Sequence, residues 1–114
     1  MHLPPEVRDK VERRLKQYCR DRIPERIRHQ LRVTYRILGD YVTLVEERPS
    51  FFDPGTWSQV AVAQFRFRTQ GSNWLLDWAD RNSRCHACDD LEPSDDLDDL
   101  LAEVDRDPTA IFWG

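Results

Sequence analysis

The side chains most typical of a metal site stand together in the string Cys85-His86-Ala87-Cys88. A structural zinc site needs four ligands, and the sequence lacks a second Cys pair at the usual spacing. Residues three apart on a strand face opposite sides, so both thiols reach one ion only where the chain turns. Acidic residues follow the string and disfavour the thiolate that redox chemistry needs. We therefore predict reduced cysteines, no bound metal and no other cofactor.

Two carboxylates near this string offer a different chemistry. Asp77 and Asp80 could act with His86 as an acid/base set, but their spacing is equally that of ordinary surface ion pairs. The alternative function is therefore a small enzyme or metal-binding protein with a site around Asp77, Asp80, Cys85, His86 and Cys88. Because no catalytic constellation can be assembled, the sequence leaves enzyme activity open and favours a non-catalytic role.

Arginines at alternate positions of a predicted strand form the second candidate site. Arg66 and Arg68 share one strand face, and the planar guanidinium fork suits carboxylate or phosphate. Trp57, which the pattern places in a loop, is the kind of aromatic anchor that interfaces use. The sequence thus predicts a binding module that acts through the polar sheet face and its adjoining loop, with the residues Arg48, Trp57, Arg66, Arg68 and Arg81.

The partner of this basic strip is open to two interpretations. Together with Arg32 and Arg36 the strip could bind nucleic acid, because basic grooves with aromatic side chains hold single strands. The signature of RNA-binding sheets is missing, however, and Glu46, Glu47 and Asp77 are suitable cross-strand partners for the arginines. A protein of unknown identity is the favoured partner, nucleic acid is the second possibility, and the oligomeric state is undetermined.

The elements that must position these residues follow from the apolar periodicity. An amphipathic helix is predicted from about Val7 to Arg20 or Arg22, and a second helix follows Pro93, with Ser94 as its N-cap. Between them the period is two, and hairpin signals at Gly39-Asp40 and near Gly71 separate the strands. The fold class is α+β over a single domain, residues 1–114: an N-terminal helix, an antiparallel meander of four or five strands and a C-terminal helix.

The predicted core lies under one face of this meander. Alternation assigns two apolar sets to that face, Leu31, Val33, Tyr35 and Ile37 in the first strand and Ala61, Ala63, Phe65 and Phe67 in the third. The tail that contains Phe112 and Trp113 is too apolar to remain in water, so we expect both rings to dock on the core.

Charge is unevenly distributed over the 114 residues. Residues 1–36 carry a net charge of +6 and residues 70–114 a net charge of -9, within a total of -4. Such asymmetry can indicate nucleic-acid binding by the basic end. The acidic end offers a simpler explanation, and we expect the two ends to pack together and neutralise each other.

Three cysteines argue against a secreted disulfide framework, because the number is odd. The first residues contain no apolar stretch, so no signal peptide is expected, and no run approaches the ~20 apolar residues of a membrane span. The expected location is the cytoplasm, without a membrane partner.

Several segments together resemble a known family of small bacterial proteins, the domain of unknown function 3024. They are residues 23–28 (IPERIR), 46–49 (EERP), 63–67 (AQFRF), 74–82 (WLLDWADRN) and 105–114 (DRDPTAIFWG). The family pattern tends to have Tyr near Asp77 and Trp where Cys85 stands, which counts against a functional role for these two positions. The resemblance implies a self-contained domain and no particular activity, cofactor or partner.

Overall fold

The computed structural model describes residues 3–53, 55–80, 82, 84–88, 92–107 and 112–113. In these residues a helix is followed by a five-stranded antiparallel sheet and a second helix, which confirms the predicted fold class. The elements are α1 (Pro5–Arg22), β1 (Arg32–Leu38), β2 (Tyr41–Pro49), β3 (Trp57–Arg68), β4 (Asn73–Ala79), β5 (Cys85–Ala87) and α2 (Leu97–Arg106). The strands lie in the sheet in chain order.

The apolar stripe of α1 produces the expected amphipathic helix. A proline opens its first turn, where the missing N–H costs nothing, and the chain becomes extended at Ile23 before Pro24. Val11, Leu15 and Tyr18 are buried and anchor the helix to the sheet. Neither described helix is long and apolar enough to cross a bilayer.

The N-terminus of α2 differs from the prediction. Asp96, not Ser94, is the N-cap, and its carboxylate accepts a hydrogen bond from the backbone N–H of Asp98. Ser94 instead exchanges two backbone hydrogen bonds with Trp74, at N–O distances of 2.7 and 3.0 Å. The residue that looked like a cap therefore extends the pairing of β4, and the helix begins two residues later.

One core cluster joins both helices to a single face of the sheet, the inner face. Val33, Val42, Phe65 and Trp74 are buried there with the apolar stripes of α1 and α2. Cross-strand pairing defines the opposite, outer face. Its residues are Arg32, Thr34, Arg36 and Leu38 from β1, Tyr41, Thr43, Val45 and Glu47 from β2, Trp57, Gln59, Ala61, Gln64, Arg66 and Arg68 from β3, Asn73, Leu75, Asp77 and Ala79 from β4, and Cys85 and Ala87 from β5.

A β-bulge changes the phase of β3. Leu44 pairs with Ala63 and the next residue, Val45, pairs with Ala61, so Val62 is an extra residue in β3. Val62 joins the core cluster, while Ala61 lies on the outer face. The prediction that Ala61 shares the inner face with Ala63 is therefore wrong, because strict alternation does not continue through the bulge.

The basic and acidic ends of the chain neutralise each other, as expected. Arg14 of α1 forms an ion pair with Asp98 of α2, and Arg22 Nε lies 3.9 Å from Asp105 Oδ1. The hydroxyl of Tyr18 donates a 2.6 Å hydrogen bond to the Asp105 carboxylate. Asp98 and Asp105 of the acidic segment are thus directed at α1, and the outer-face arginines lie on the other side of the sheet.

Candidate interaction surface

The outer face carries its arginines in register across neighbouring strands. Arg66 lies opposite Tyr41 of β2 and Leu75 of β4, and Arg68 lies opposite Asn73. Residues directly opposite each other in an antiparallel pair have their side chains close together on one face. The sheet therefore places two guanidinium groups beside an aromatic and an aliphatic side chain.

A shallow concavity of about 400 Å³ adjoins this pair. Its wall includes Asp40, Arg66, Arg68 and Leu75, and residues of the β3–β4 turn close one end. Leu38 and Tyr41 lie in the same cross-strand row and are 80% and 37% exposed. The region thus combines arginine donors with accessible apolar area, which is the composition of many interface cores.

Arg66 is incompletely paired. Its Nη2 lies 3.8 Å from Asp77 Oδ1, which is longer than the ~2.7–2.9 Å of a charge-assisted hydrogen bond. Its Nε is buried and has no hydrogen-bond partner among the described residues. The side chain is nevertheless 37% exposed, so part of the guanidinium is open to a ligand.

Asp77 is the buried acid of the outer face, with 7% of its surface exposed. Burial raises the pKa of the Asp77 carboxyl above its ordinary value, and the charge of Arg66 acts in the opposite direction without cancelling the effect. The contact with Arg66 therefore compensates only part of the cost of removing this carboxylate from water.

Replacing Asp77 by Asn is expected to stabilise the protein at neutral pH. Below its unfolded pKa, a carboxyl whose pKa is raised by folding is protonated in both states and does not lower the stability of the protein. Its destabilising effect develops as the pH rises from the unfolded pKa through the folded pKa. The gain from Asp77→Asn should therefore be largest at pH 7 and shrink towards zero as the pH approaches the ordinary Asp value. Urea unfolding of both proteins over this pH range measures it.

The exposed Asp21 of α1 provides the control. Asp21→Asn makes the same change in net charge, and we expect it to alter stability by less than about 0.5 kcal/mol, as surface substitutions usually do. A variant Asp77→Asn that is less stable than the wild type at pH 7 would contradict the assignment of Asp77 as a destabilising buried charge.

The remaining outer-face arginines differ in how they are held. Arg68 donates from Nε to Asn73 Oδ1 at 2.9 Å and is otherwise exposed. Arg32 stacks on Trp57, with its guanidinium carbon 3.5 Å from the ring centroid. Arg36 is exposed and has no ion pair within the described part of the chain. Four arginines thus share this face with two acids, Glu47 and Asp77.

Comparison with protein families decides what kind of chain this is. A family model described as Domain of unknown function (DUF3024) matches residues 3–114. The chain belongs to this family. No curated protein and no solved structure matches it.

In this DUF3024 domain the predicted binding set is divided. Arg66 and Arg68 lie on the outer face as expected, and Trp57 lies there too. Arg48 lies on the inner-face side, where its Nε donates to Glu46 Oε1 at 2.7 Å. The pairing of β2 and β3 continues to Pro49, so Arg48 is a strand residue in phase with Glu46 rather than part of a loop. Arg81 lies outside the described residues.

Trp57 also departs from its predicted position. It is the first residue of β3, opposite Pro49, and it is only partly exposed because Arg32 covers one side of its ring. Trp57 is therefore part of the outer face itself, and not an exposed side chain of an adjoining loop.

The residues of the alternative metal or acid/base site do not come together around one point. His86 Nε2 lies 2.8 Å from Asp80 Oδ2, and the imidazole stacks on Trp78. Cys85 pairs with Ala79 on the outer face, whereas Cys88 packs against the core. Among the described residues no group of three or more His, Cys, Asp or Glu side chains is arranged to hold a metal ion.

The pKa shifts of Cys85 and Asp80 are those of structural rather than reactive groups. Burial, followed by the charges of Asp77 and Asp80, raises the pKa of the Cys85 thiol, which disfavours the nucleophilic thiolate. The hydrogen bond with His86 and those from the backbone N–H groups of Arg84 and Asn82 lower the pKa of Asp80. The Asp80 carboxylate thus organises the turn between β4 and β5.

Sequence reasoning missed two features of the surface. Phe51 and Phe52, in the loop between β2 and β3, are 91% and 92% exposed and pack edge to face against each other. Two adjacent Phe residues in a loop rich in Pro and Gly were the sequence feature that could have indicated this exposed apolar pair. The burial of Asp77 was also missed, because it depends on side chains from several strands.

Proposed function

We propose that this domain is a non-catalytic interaction module that binds an acidic segment of a protein partner through its outer sheet face. The observation that supports this most directly is the excess of arginine on a face that neither helix covers. Glu47, one of the two acids on that face, accepts a 2.7 Å hydrogen bond from Gln59. Charge complementarity therefore favours a partner that supplies carboxylates.

A protein segment fits the surroundings of the arginines better than a nucleic-acid strand does. The rings available for stacking are few, because Trp57 is already stacked with Arg32 and Tyr41 is the one other aromatic side chain among the described residues of the outer face. The accessible apolar area comes from Leu38 and Leu75, which suit the side chains of a peptide. Arginine bound to carboxylate beside aliphatic contacts is typical of protein interfaces.

The test is the double substitution Arg66→Gln with Arg68→Gln. We expect the fold to be retained with a loss of stability of about 1–3 kcal/mol, because Arg66→Gln leaves the buried Asp77 carboxylate without its neighbouring charge. Proteins that co-purify with the wild type, identified by mass spectrometry and titrated directly, should bind the variant at least about tenfold more weakly, or ~1.4 kcal/mol.

A matched control removes two arginines from elsewhere. Arg13 of α1 and Arg26 beyond it are exposed and lie outside the outer face, so Arg13→Gln with Arg26→Gln changes net charge equally. The proposal predicts unchanged partner binding for this control. Partners that remain bound to the Arg66/Arg68 variant would contradict the proposal, and so would co-purifying material that nuclease releases.

A further inference from the structure

We propose that Arg66 is the residue that holds the partner's carboxylate, and that Asp77 is an internal competitor which the partner carboxylate displaces from it. This inference rests on the proposed function and names the anchoring contact of that surface. It concerns a single guanidinium group with two alternative counter-ions, one in the domain and one in the partner.

The first argument is the geometry of the internal pair. At 3.8 Å, Arg66 Nη2 and Asp77 Oδ1 attract each other as charges but are too far apart for a good hydrogen bond. By comparison, Arg48 and Glu46 approach to 2.7 Å on the other side of the sheet. The Asp77 carboxylate therefore neutralises Arg66 in part and leaves its hydrogen-bonding capacity unused.

The second argument concerns the donors of Arg66. A guanidinium group has five N–H donors, and the buried Nε has no partner among the described residues. A buried donor without a partner raises the free energy of the unbound state. A carboxylate from solvent can approach the exposed part of the guanidinium with both oxygens and supply the parallel hydrogen bonds that Asp77 does not make. The buried Nε takes part once the side chain turns towards solvent.

The third argument is that Asp77 is fixed in position. It lies on β4 between Gln64 of β3 and Ala87 of β5, and it is 7% exposed. The charges of Asp77 and Asp80 also act on the Cys85 thiol at this corner of the sheet, where they raise its pKa after burial has done so. Because β4 is paired on both sides, the backbone of Asp77 cannot shift towards Arg66 to shorten their contact. Arg66 has a long, partly exposed side chain, which can turn to a new partner.

The occupant is an extended protein segment with a Glu or Asp side chain between apolar residues. Leu75 and Tyr41 flank Arg66 across the strands, and Arg68 lies two residues along the same strand face. A carboxylate seated on Arg66 would therefore have apolar contacts on both sides and a second guanidinium nearby. Inorganic phosphate would satisfy the charge but would gain nothing from the flanking side chains.

The test uses a blocked peptide of alternating Glu and Leu as the probe, titrated into isotope-labelled protein and followed by chemical-shift changes. We expect Asp77→Asn to bind the peptide roughly 3- to 10-fold more tightly than the wild type. Arg66→Gln should bind at least about tenfold more weakly. In the Arg66→Gln background, Asp77→Asn should have little further effect, because the competition needs both residues.

Two further variants separate the inference from general charge effects. Asp21→Asn, on α1, changes net charge as Asp77→Asn does and should leave peptide affinity unchanged. Arg66→Lys keeps the charge but loses the guanidinium fork, so it should weaken binding. Inorganic phosphate serves as a second probe, and if it binds as tightly as the peptide, the commitment to a protein carboxylate is overturned.

The outcomes distinguish this inference from the proposed function. If Arg66→Gln with Arg68→Gln abolishes binding while Asp77→Asn leaves it unchanged or weakens it, the displacement of Asp77 is wrong and the outer-face surface stands. If removal of both arginines leaves peptide binding intact, both proposals are wrong. Should Asp77→Asn fail to fold, equal binding by Arg66→Lys and the wild type would overturn the anchoring role of Arg66.

Discussion

Substitution of Phe112 by Ala is expected to lower the free energy of unfolding by about 3–5 kcal/mol. The ring is only 8% exposed and belongs to the cluster that joins both helices to the inner face. Its removal deletes apolar contacts and leaves a cavity that the surrounding sheet can fill only in part. For a domain of this size the loss corresponds to a fall of roughly 10–25 °C in Tm. Urea unfolding followed by tryptophan fluorescence measures it.

The loop between β2 and β3 contains a matched control. Phe52 is 92% exposed, so Phe52→Ala makes the same chemical change without removing core contacts. We expect this control to change stability by less than about 0.5 kcal/mol. If Phe112→Ala unfolds at the wild-type urea concentration, the C-terminal tail is a loose segment rather than part of the core.

The docking of this tail was predictable from its composition, and its attachment was not. The expectation that Phe112 would be buried is confirmed, and Trp113 is half-buried. The indole N–H of Trp113 donates to the backbone oxygen of Val104 at 3.1 Å, and Arg22 lies 4.3 Å from its ring centroid. Hydrophobicity indicates that a ring will be buried. It does not indicate which residues will contact the ring, because Val104 and Arg22 belong to different helices and come together only in the folded domain.

Most of the sheet was predictable because its hairpins are encoded locally. The turn between β1 and β2 needs a residue with a positive φ, and Gly39 has φ of 62° there. The bulge at Val62 was not predictable, because Ala61, Val62 and Ala63 are all apolar and give no sign of a change in phase. Only the register against Leu44 and Val45 reveals it.

The positions of Arg48 and Trp57 differ from the prediction because β2 and β3 are longer than their sequence patterns indicate. The pattern placed Trp57 in a loop, while the pairing of β2 with β3 extends to Pro49 and Trp57. Arg48 was consequently assigned to the loop that adjoins the polar face, although it is a residue of β2 in phase with Val42 and Leu44, which face the core. Pro49 is the last residue of β2 and lies beyond the end of β1, where proline is compatible with pairing to β3.

The burial of Asp77 and its incomplete pairing with Arg66 could not be predicted from the sequence. The sequence indicates that Asp77 and Arg66 lie on neighbouring strands and can pair. It does not indicate that Asp77 is buried while its contact with Arg66 is 3.8 Å. Burial on the outer face depends on side chains from several strands, and such long-range packing leaves no periodic signal.

Asp107→Ala is the second substitution for which we expect a large effect, a loss of about 2–4 kcal/mol in the free energy of unfolding. The Asp107 carboxylate accepts hydrogen bonds from the backbone N–H of Phe112 at 3.0 Å and of Trp113 at 2.9 Å. Asp107 also ends α2 in a left-handed conformation, with φ of 42° and ψ of 57°. Alanine removes both acceptors and tolerates this backbone poorly, since the left-handed region costs a residue with a Cβ about 1–2 kcal/mol.

Three substitutions separate the two contributions of Asp107. Asn tolerates the left-handed conformation and keeps one acceptor oxygen, so Asp107→Asn should lose about half as much stability as Asp107→Ala. Asp107→Gly removes both acceptors but relieves the backbone strain, so its stability should fall between those of the other two. Urea unfolding of the series gives the order directly. If Asp107→Ala and Asp107→Gly are both as stable as the wild type, the carboxylate does not hold the tail, and the burial of Phe112 alone secures it.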